Sequence, residues 1–128
     1  MNEATKRLLG FLGLCRKAGK LIIGTPLVCE ALGARTKPHL VLVCAYASPA
    51  TRKKLQTKTA YYGVTLRMPA LDPEELAHAV GKTGAVAALA VTDPGMAAAL
   101  LSRIDAAEQT EAPISTGKEP SAREGKDA

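Results

Sequence analysis

The chain has 128 residues, 47% of them hydrophobic, but only 3% are aromatic and there is no tryptophan. That length suits one domain of about 100 residues plus a tail, with a core of Ala, Val, Leu and Ile. The net charge of +5 hides an asymmetry: residues 1–67 carry 12 Lys/Arg against Glu3 and Glu30, whereas residues 68–110 hold Lys82 and Arg103 against six acids. A polyanion would therefore meet the first half, although a protein reading single strands by stacking would need more rings than Phe11, Tyr46, Tyr61 and Tyr62 supply.

From Glu3 to Ala18, Leu8, Leu9, Phe11, Leu12, Leu14 and Cys15 recur at helical spacing, which predicts an amphipathic helix ending near Gly19. Gly10 and Gly13 inside it suggest close packing against a neighbour. Leu21, Ile22 and Ile23 then form a short apolar strand. It runs through Gly24 into a helix with Thr25 as N-cap, Pro26 in the first turn, and Leu27, Val28, Ala31 and Leu32 at helical spacing. A strand that gives way to a helix across one glycine leaves backbone N–H groups and the positive end of a helix dipole facing outward, an anion site. Arg16, Lys17 and Lys20 precede it, and Arg35 and Lys37 follow.

Leu40–Ala45 is a near-continuous apolar run, as in a strand covered on both faces. Ser48 and Pro49 open a helix to about Tyr62 that carries Arg52, Lys53, Lys54 and Lys58, with few apolar residues, so most of it faces water or a partner. Gly63 stops it. Val64–Met68 predicts a short strand, Asp72-Pro73 caps a helix with Leu76, Ala77, Ala79 and Val80 inward, and Gly81–Gly84 is a loop. Ala85–Val91 predicts a second buried strand, and Asp93-Pro94 starts a last helix to about Glu108 with Met96, Leu100, Leu101 and Ile104 inward. Alternation of five helices with four strands argues for one sheet between two helical layers. Residues 1–109 are read as the domain. Residues 110–128, rich in Glu, Pro, Ser, Gly and Lys, are read as a disordered tail.

No apolar run approaches the roughly 18 residues of a membrane span, and no signal-peptide pattern opens the chain. Cys15, Cys29 and Cys44 lie far apart at apolar positions, with no C-x-x-C pair. They read as reduced core residues of a cytoplasmic protein, and with His39 and His78 distant from one another no metal site is expected. Two near-matches to a phosphate-binding loop fail. Gly13–Leu21 is one residue too long and lacks the Ser/Thr, and Gly81-Lys82-Thr83 lacks the first glycine and leads from a helix into a strand. Without a nucleophile elbow, a nucleophile–His pair or a carboxylate pair beside a pocket, no enzyme and no cofactor is expected.

Leu12–Val28, Ser48-Pro49 with Thr51 and Lys53-Lys54-Leu55, Tyr61–Val64, Val80–Lys82 and Ala90–Ala97, in this order and spacing, resemble the kink-turn RNA-binding family of ribosomal L-seven-Ae and L-thirty-e proteins, and most of all its small bacterial YlxQ-type members. The resemblance spans about residues 8–104. It implies an α/β fold, a three-layer α/β/α sandwich with a four-stranded mixed sheet. It also implies a non-catalytic protein of translation that acts as a monomer and binds structured RNA, rRNA in particular, with the ribosome as a further partner.

In that family the helix after the first strand presents Gly-Thr-Asn-Glu-x-x-Lys to tandem sheared G·A pairs, and the loop before the last strand covers an extruded base. Gly24 and Thr25 match; Pro26, Leu27 and Glu30 stand where Asn, Glu and Lys would be. Side-chain hydrogen bonds from Pro26 and Leu27 to a guanine edge are impossible, and Glu30 repels phosphate, so the expected specificity is altered or looser. The expected RNA site is Arg16, Lys17, Lys20, Gly24, Thr25, Pro26, Leu27 and Lys37, with Lys82, Thr83, Gly84, Ala85 and Val86 in the second loop. The competing reading, favoured by Leu27 and Glu30, is a protein-interaction module of the translation or transcription machinery.

Overall fold

A computed structural model describes residues 2–115. The element order is α1 (Glu3–Lys17), β1 (Leu21–Ile23), α2 (Thr25–Leu32), β2 (Leu40–Val43), α3 (Pro49–Tyr62), β3 (Leu66–Arg67), α4 (Pro73–Ala79), β4 (Ala88–Val91) and α5 (Pro94–Ser115). The strands form one mixed sheet in the order β1-β4-β2-β3. β4 is antiparallel to both neighbours, with Ile22 opposite Ala90 and Val41 opposite Ala90 on its two sides, while β2 and β3 run parallel with Val41 opposite Leu66. α2 and α3 pack together in one helical layer, and α1, α4 and α5 in the other. The alternation in the sequence thus becomes a three-layer sandwich.

The two central strands are the two apolar runs. Every residue of Leu40–Val43 and of Ala88–Val91 is buried, whereas β1 and β3, at the sheet edges, are only half-buried. Fully apolar strands are stable only when both faces are covered, and the two helical layers do this. Leu8, Leu12 and Cys15 of α1, Leu55 of α3, Leu76 of α4, and Leu100 and Ile104 of α5 complete the core. Helix starts follow the capping chemistry read from the sequence. Ser48 Oγ accepts from Thr51 N–H at 3.2 Å, Asp93 Oδ2 from Met96 N–H at 2.9 Å, and Asp72 forms a reciprocal capping box with Glu75.

Several expectations need correction. Leu14 is exposed, because it lies about 200° round the helix from Leu12 and misses the Leu8–Leu12–Cys15 seam. Gly13 does pack closely, a Cβ there standing 3.2 Å from the Ala79 carbonyl oxygen, but Gly10 has nothing within 4 Å. β3 is two residues rather than five. β4 begins at Ala88 rather than Ala85, since Ala85 is exposed and Val86 N–H is drawn away to the Pro73 carbonyl at 3.0 Å. α5 continues to Ser115, beyond Glu108; of the expected tail, residues 116–128 lie outside the described residues. No helix among the described residues is long and apolar enough to cross a membrane.

Arg67 ties the outer edge strand to the last helix, reaching Asp105 Oδ1 at 2.7 Å and Glu108 Oε1 at 2.6 Å. Burial opposes its charge, but the hydrogen bond it donates to Asp105 and the charge of Glu108 outweigh this and raise the guanidinium above its ordinary value. All three cysteines are free. Cys15 and Cys44 are buried as expected, while Cys29 is only partly so.

Cys44 sits where β2 ends, its thiol donating to the Val86 carbonyl at 3.6 Å. Burial, reinforced by the charges of Asp72 and Glu75, pushes its thiol up to about 12. An unfolded thiol titrates near 8.5, so above that pH the unfolded chain releases a proton that the folded one keeps. Stability from the neutral thiol is complete below about pH 8.5 and is lost as pH rises toward 12. The difference in unfolding free energy between the protein and Cys44→Ala, measured by urea titration, should therefore hold constant from pH 6 to 8. It should then shrink by up to about 1.4 kcal/mol per pH unit between pH 9 and 10.5.

Candidate functional site

At the end of β1 the chain cannot turn into α2 with an ordinary backbone. Gly24, not Thr25, is the N-cap, with φ 102° and ψ 140°, and Thr25 is already helical. The side-chain rule favoured the threonine, but the turn needs a conformation that L side chains rarely adopt, and this decides for glycine. Gly24 N–H donates to the Ala88 carbonyl at 2.9 Å, and its own carbonyl accepts from Val28 N–H at 3.0 Å.

Of the first amides of α2, Gly24 N–H is therefore spent and Pro26 has none. Thr25 and Leu27 N–H remain, with no side-chain cap and no partner among the described residues. Expecting all of Gly24–Leu27 to offer amides was too generous; two do so, at the positive end of the α2 dipole.

The bond from Gly24 to Ala88 places this helix end beside the segment leading into β4. Cys44 N–H donates to the Ala87 carbonyl at 2.9 Å from the other side. Gly24–Leu27, the Thr83–Val86 segment and the turn after β2 thus gather at one end of the sheet. Thr83, Gly84 and Ala85 are exposed there and Val86 is buried beneath them.

Lys82 reaches a cleft of about 570 Å³ that it shares with Leu21, Ile22 and Ile23 of β1, Leu27, Glu30 and Ala31 of α2, and Ala34. Arg16 lies against the start of this loop: Gly81 has φ 71°, and a Cβ there would meet Arg16 Nη1 at 2.9 Å. Lys17 and Lys20 are exposed at the beginning of β1, where the Lys20 carbonyl accepts from Thr92 N–H at 2.9 Å. Four residue steps, about 13 Å, separate Lys20 from Gly24, so these two lysines stand at the opposite end of β1 from the free amides. The basic groups Arg16, Lys17, Lys20 and Lys82 accordingly lie on the β1 side of the molecule.

Lys37 does not join them. It follows the C-terminal end of α2, where its Nζ donates to the Ala34 carbonyl at 2.6 Å and stands 4.6 Å from the centre of the Tyr62 ring. The length of α2 separates Lys37 from Gly24, and the contact with Tyr62 sets it on the α3 side rather than beside β1. Conversely, two residues at the same sheet end as Gly24 were not among the expected ones. Tyr46, in the turn after β2, is 68% exposed, and Arg52 Nε donates to the Ala47 carbonyl at 3.1 Å, holding a guanidinium beside that turn. An aromatic between a buried strand and a Ser-Pro helix start was the available signal.

Nothing in this arrangement constitutes a metal site; among the described residues no three His, Cys, Asp or Glu side chains converge. Its chemistry is that of a surface with two free amides, an exposed ammonium at Lys82, an apolar cleft and an exposed ring.

Comparison with known proteins gives a consistent picture. The sequence pattern of the Ribosomal protein L7Ae/L30e/S12e/Gadd45 family matches residues 6–101. The RNA-binding protein YlxQ of Enterococcus faecium is 32% identical over 98 residues, 76% of this chain and 91% of that protein. A solved structure of a protein of unknown function from Bacillus halodurans C superposes with a TM-score of 0.70 at 28% identity, covering 77% of this chain and 96% of the other. The Giardia lamblia 15.5kD RNA binding protein has the same fold, with a TM-score of 0.67 at 15% identity over 85% of this chain and 91% of its own.

The turn at Gly24 can be tested alone. A Cβ there would meet nothing within 4 Å, so any cost of Gly24→Ala comes from backbone strain rather than collision. We expect a loss of about 1–3 kcal/mol in urea unfolding, with the sandwich otherwise intact by circular dichroism.

Proposed function

The chain belongs to the Ribosomal protein L7Ae/L30e/S12e/Gadd45 family, and from that premise we propose that it is a non-catalytic RNA-binding protein. Its ligand is structured RNA, sharply bent and internally looped as in a kink-turn, within rRNA or another RNA of translation. The observation that carries this reading is the meeting, at one end of the sheet, of the uncapped amides of Thr25 and Leu27 with the Lys82–Val86 loop, joined through the Gly24–Ala88 hydrogen bond. The relative YlxQ, whose name states RNA binding, supports it.

In this reading the two amides and the α2 dipole receive a phosphate or base edge, as helix N-termini receive anions generally. Glu30 is exposed and borders the same cleft as Lys82, so a backbone phosphate is repelled from the α2 wall and drawn toward Lys82. Arg16, Lys17 and Lys20 extend the positive side along β1 for the neighbouring phosphates. With Pro26 and Leu27 in place of hydrogen-bonding side chains, sequence-specific contacts to G·A pairs are fewer, and the RNA is recognised by bend and unpaired bases. The binding unit is the sandwich of residues 1–109, acting as a monomer in the cytoplasm.

A second reading has one observation in its favour. Leu27 is 52% exposed over a cleft lined mainly by aliphatic side chains, as suits a protein-interaction module of the translation or transcription machinery. Purification separates the two: ribonuclease-sensitive absorbance at 260 nm supports RNA, whereas a stable protein partner with a clean spectrum supports the module.

Salt dependence gives the direct test. With rRNA fragments titrated between 50 and 200 mM KCl, affinity should fall steeply, and Lys20→Glu and Lys82→Glu should each weaken binding and flatten the log–log slope by roughly 0.7–0.9. Lys37→Glu, at a residue held over the Tyr62 ring on the α3 side and away from β1, should leave the slope unchanged. An affinity indifferent to salt and to both β1-side substitutions would rule the reading out.

A further inference from the structure

Two exposed rings distinguish themselves in a chain with three tyrosines, one phenylalanine and no tryptophan: Tyr46 at 68% and Tyr61 at 81% exposure. Tyr61 has a local explanation. It lies at the end of α3, edge-on to Tyr62 with ring centres 4.9 Å apart. Tyr46 has none, since neither its ring nor its hydroxyl has a partner among the described residues.

The backbone beneath Tyr46 is held firmly while the ring projects. Ala45 N–H donates to the Pro69 carbonyl at 2.9 Å, Tyr46 N–H to the Leu71 carbonyl at 3.5 Å, and Ala47 N–H to the Cys44 carbonyl at 3.0 Å. On its other side the turn is fixed by Cys44 N–H on the Ala87 carbonyl. Arg52, bound to the Ala47 carbonyl, supplies positive charge beside it.

A single exposed tyrosine is ordinary on a protein surface, but this one offers an apolar face and a polar tip on a rigid support. Its place in the sheet indicates what would lie against it. β1 and β2 are both neighbours of β4, so the ends of β1 and β2 lie two strand spacings apart, about 10 Å. Gly24 grips Ala88 and Cys44 grips Ala87, which puts the turn carrying Tyr46 at the same end of the sheet as the free amides of Thr25 and Leu27.

We propose that Tyr46 is a stacking platform for one unpaired base of the RNA bound at the start of α2. The inference rests on the RNA reading above and deepens it. Bent RNA exposes bases that have lost their neighbours, and any base has a face to stack on an aromatic ring, so one ring adds affinity without demanding a sequence. This restores part of what is missing where Pro26 and Leu27 offer no side-chain hydrogen bonds. Arg52 fixes the adjacent phosphate and does not touch the base.

The test compares Tyr46→Ala, Tyr46→Phe and Tyr61→Ala with the unaltered full chain. The probe is an rRNA-derived stem interrupted by tandem G·A pairs and an unpaired uridine. Tyr46→Ala should bind about tenfold more weakly with an unchanged salt slope, because no charge is lost, while Tyr46→Phe and Tyr61→Ala stay within twofold of the parent. Tyr46→Trp, which would carry the chain's single tryptophan, should bind as the parent does and show fluorescence quenched by the RNA. Thermal melting confirms that each variant is folded.

If Tyr46→Ala binds like the parent while Lys82→Glu remains weak, stacking is overturned and the RNA reading stands. If neither the parent nor any variant binds the probe or the rRNA fragments, both fall together. An unquenched Tyr46→Trp that still binds also overturns the stacking role.

Discussion

Two consecutive carbonyls hold one end of this molecule together. Successive peptide groups of a strand point to opposite neighbours, so the Ala87 oxygen faces β2 and takes Cys44 N–H, while the Ala88 oxygen faces β1 and takes Gly24 N–H. Each bond is worth only about 1 kcal/mol net, yet together they fix three otherwise independent pieces of chain. These are the start of α2, the loop entering β4 and the turn before α3. Gly24 makes the arrangement possible, since any other residue at φ 102° would be strained just where the strand must close onto β4 and the helix must begin.

Much of this could be read from the residues, and for identifiable reasons. LVLV and ALAV are apolar at every position, which only burial on both faces explains, and Pro49, Pro73 and Pro94, each following a polar capping residue, mark three helix starts. The sandwich follows from these. What could not be read depends on contacts between distant segments. Ala85–Ala87 is as apolar as the strand behind it, but Val86 N–H is claimed by Pro73, and the strand therefore starts three residues late. Thr25 is a better cap than glycine by composition, but not at that φ. Sequence distance gave no guide to place: Lys37 is near Gly24 in sequence and a helix away in space, whereas Tyr46 is 22 positions on and belongs to the same sheet end.

The charge asymmetry also changes meaning once folded. Part of the acidic second half is consumed internally, since Asp105 and Glu108 clamp Arg67 of the far edge strand. The positive groups beside β1 meet no such partner. Arg7 pairs with Glu3 at 3.7 Å on the exposed face of α1, but Arg16, Lys17, Lys20 and Lys82 have no acidic partner within salt-bridge distance among the described residues. Unpaired positive charge is left along the β1 side, while at the other edge of the sheet Arg67 is neutralised.

The outer side of β1 has one more consequence. Because Lys20 and Gly24 spend their backbone groups on Thr92 and Ala88, the peptide groups of Leu21 and Ile23 point the other way, to a margin with no strand beyond it among the described residues. Such a margin invites the same margin of another molecule, and apolar residues make the invitation stronger. Here it is three residues long, with Lys20 at its head and Lys82 reaching its side. A strand this short, flanked by lysines, offers little length and an unfavourable charge to an added strand.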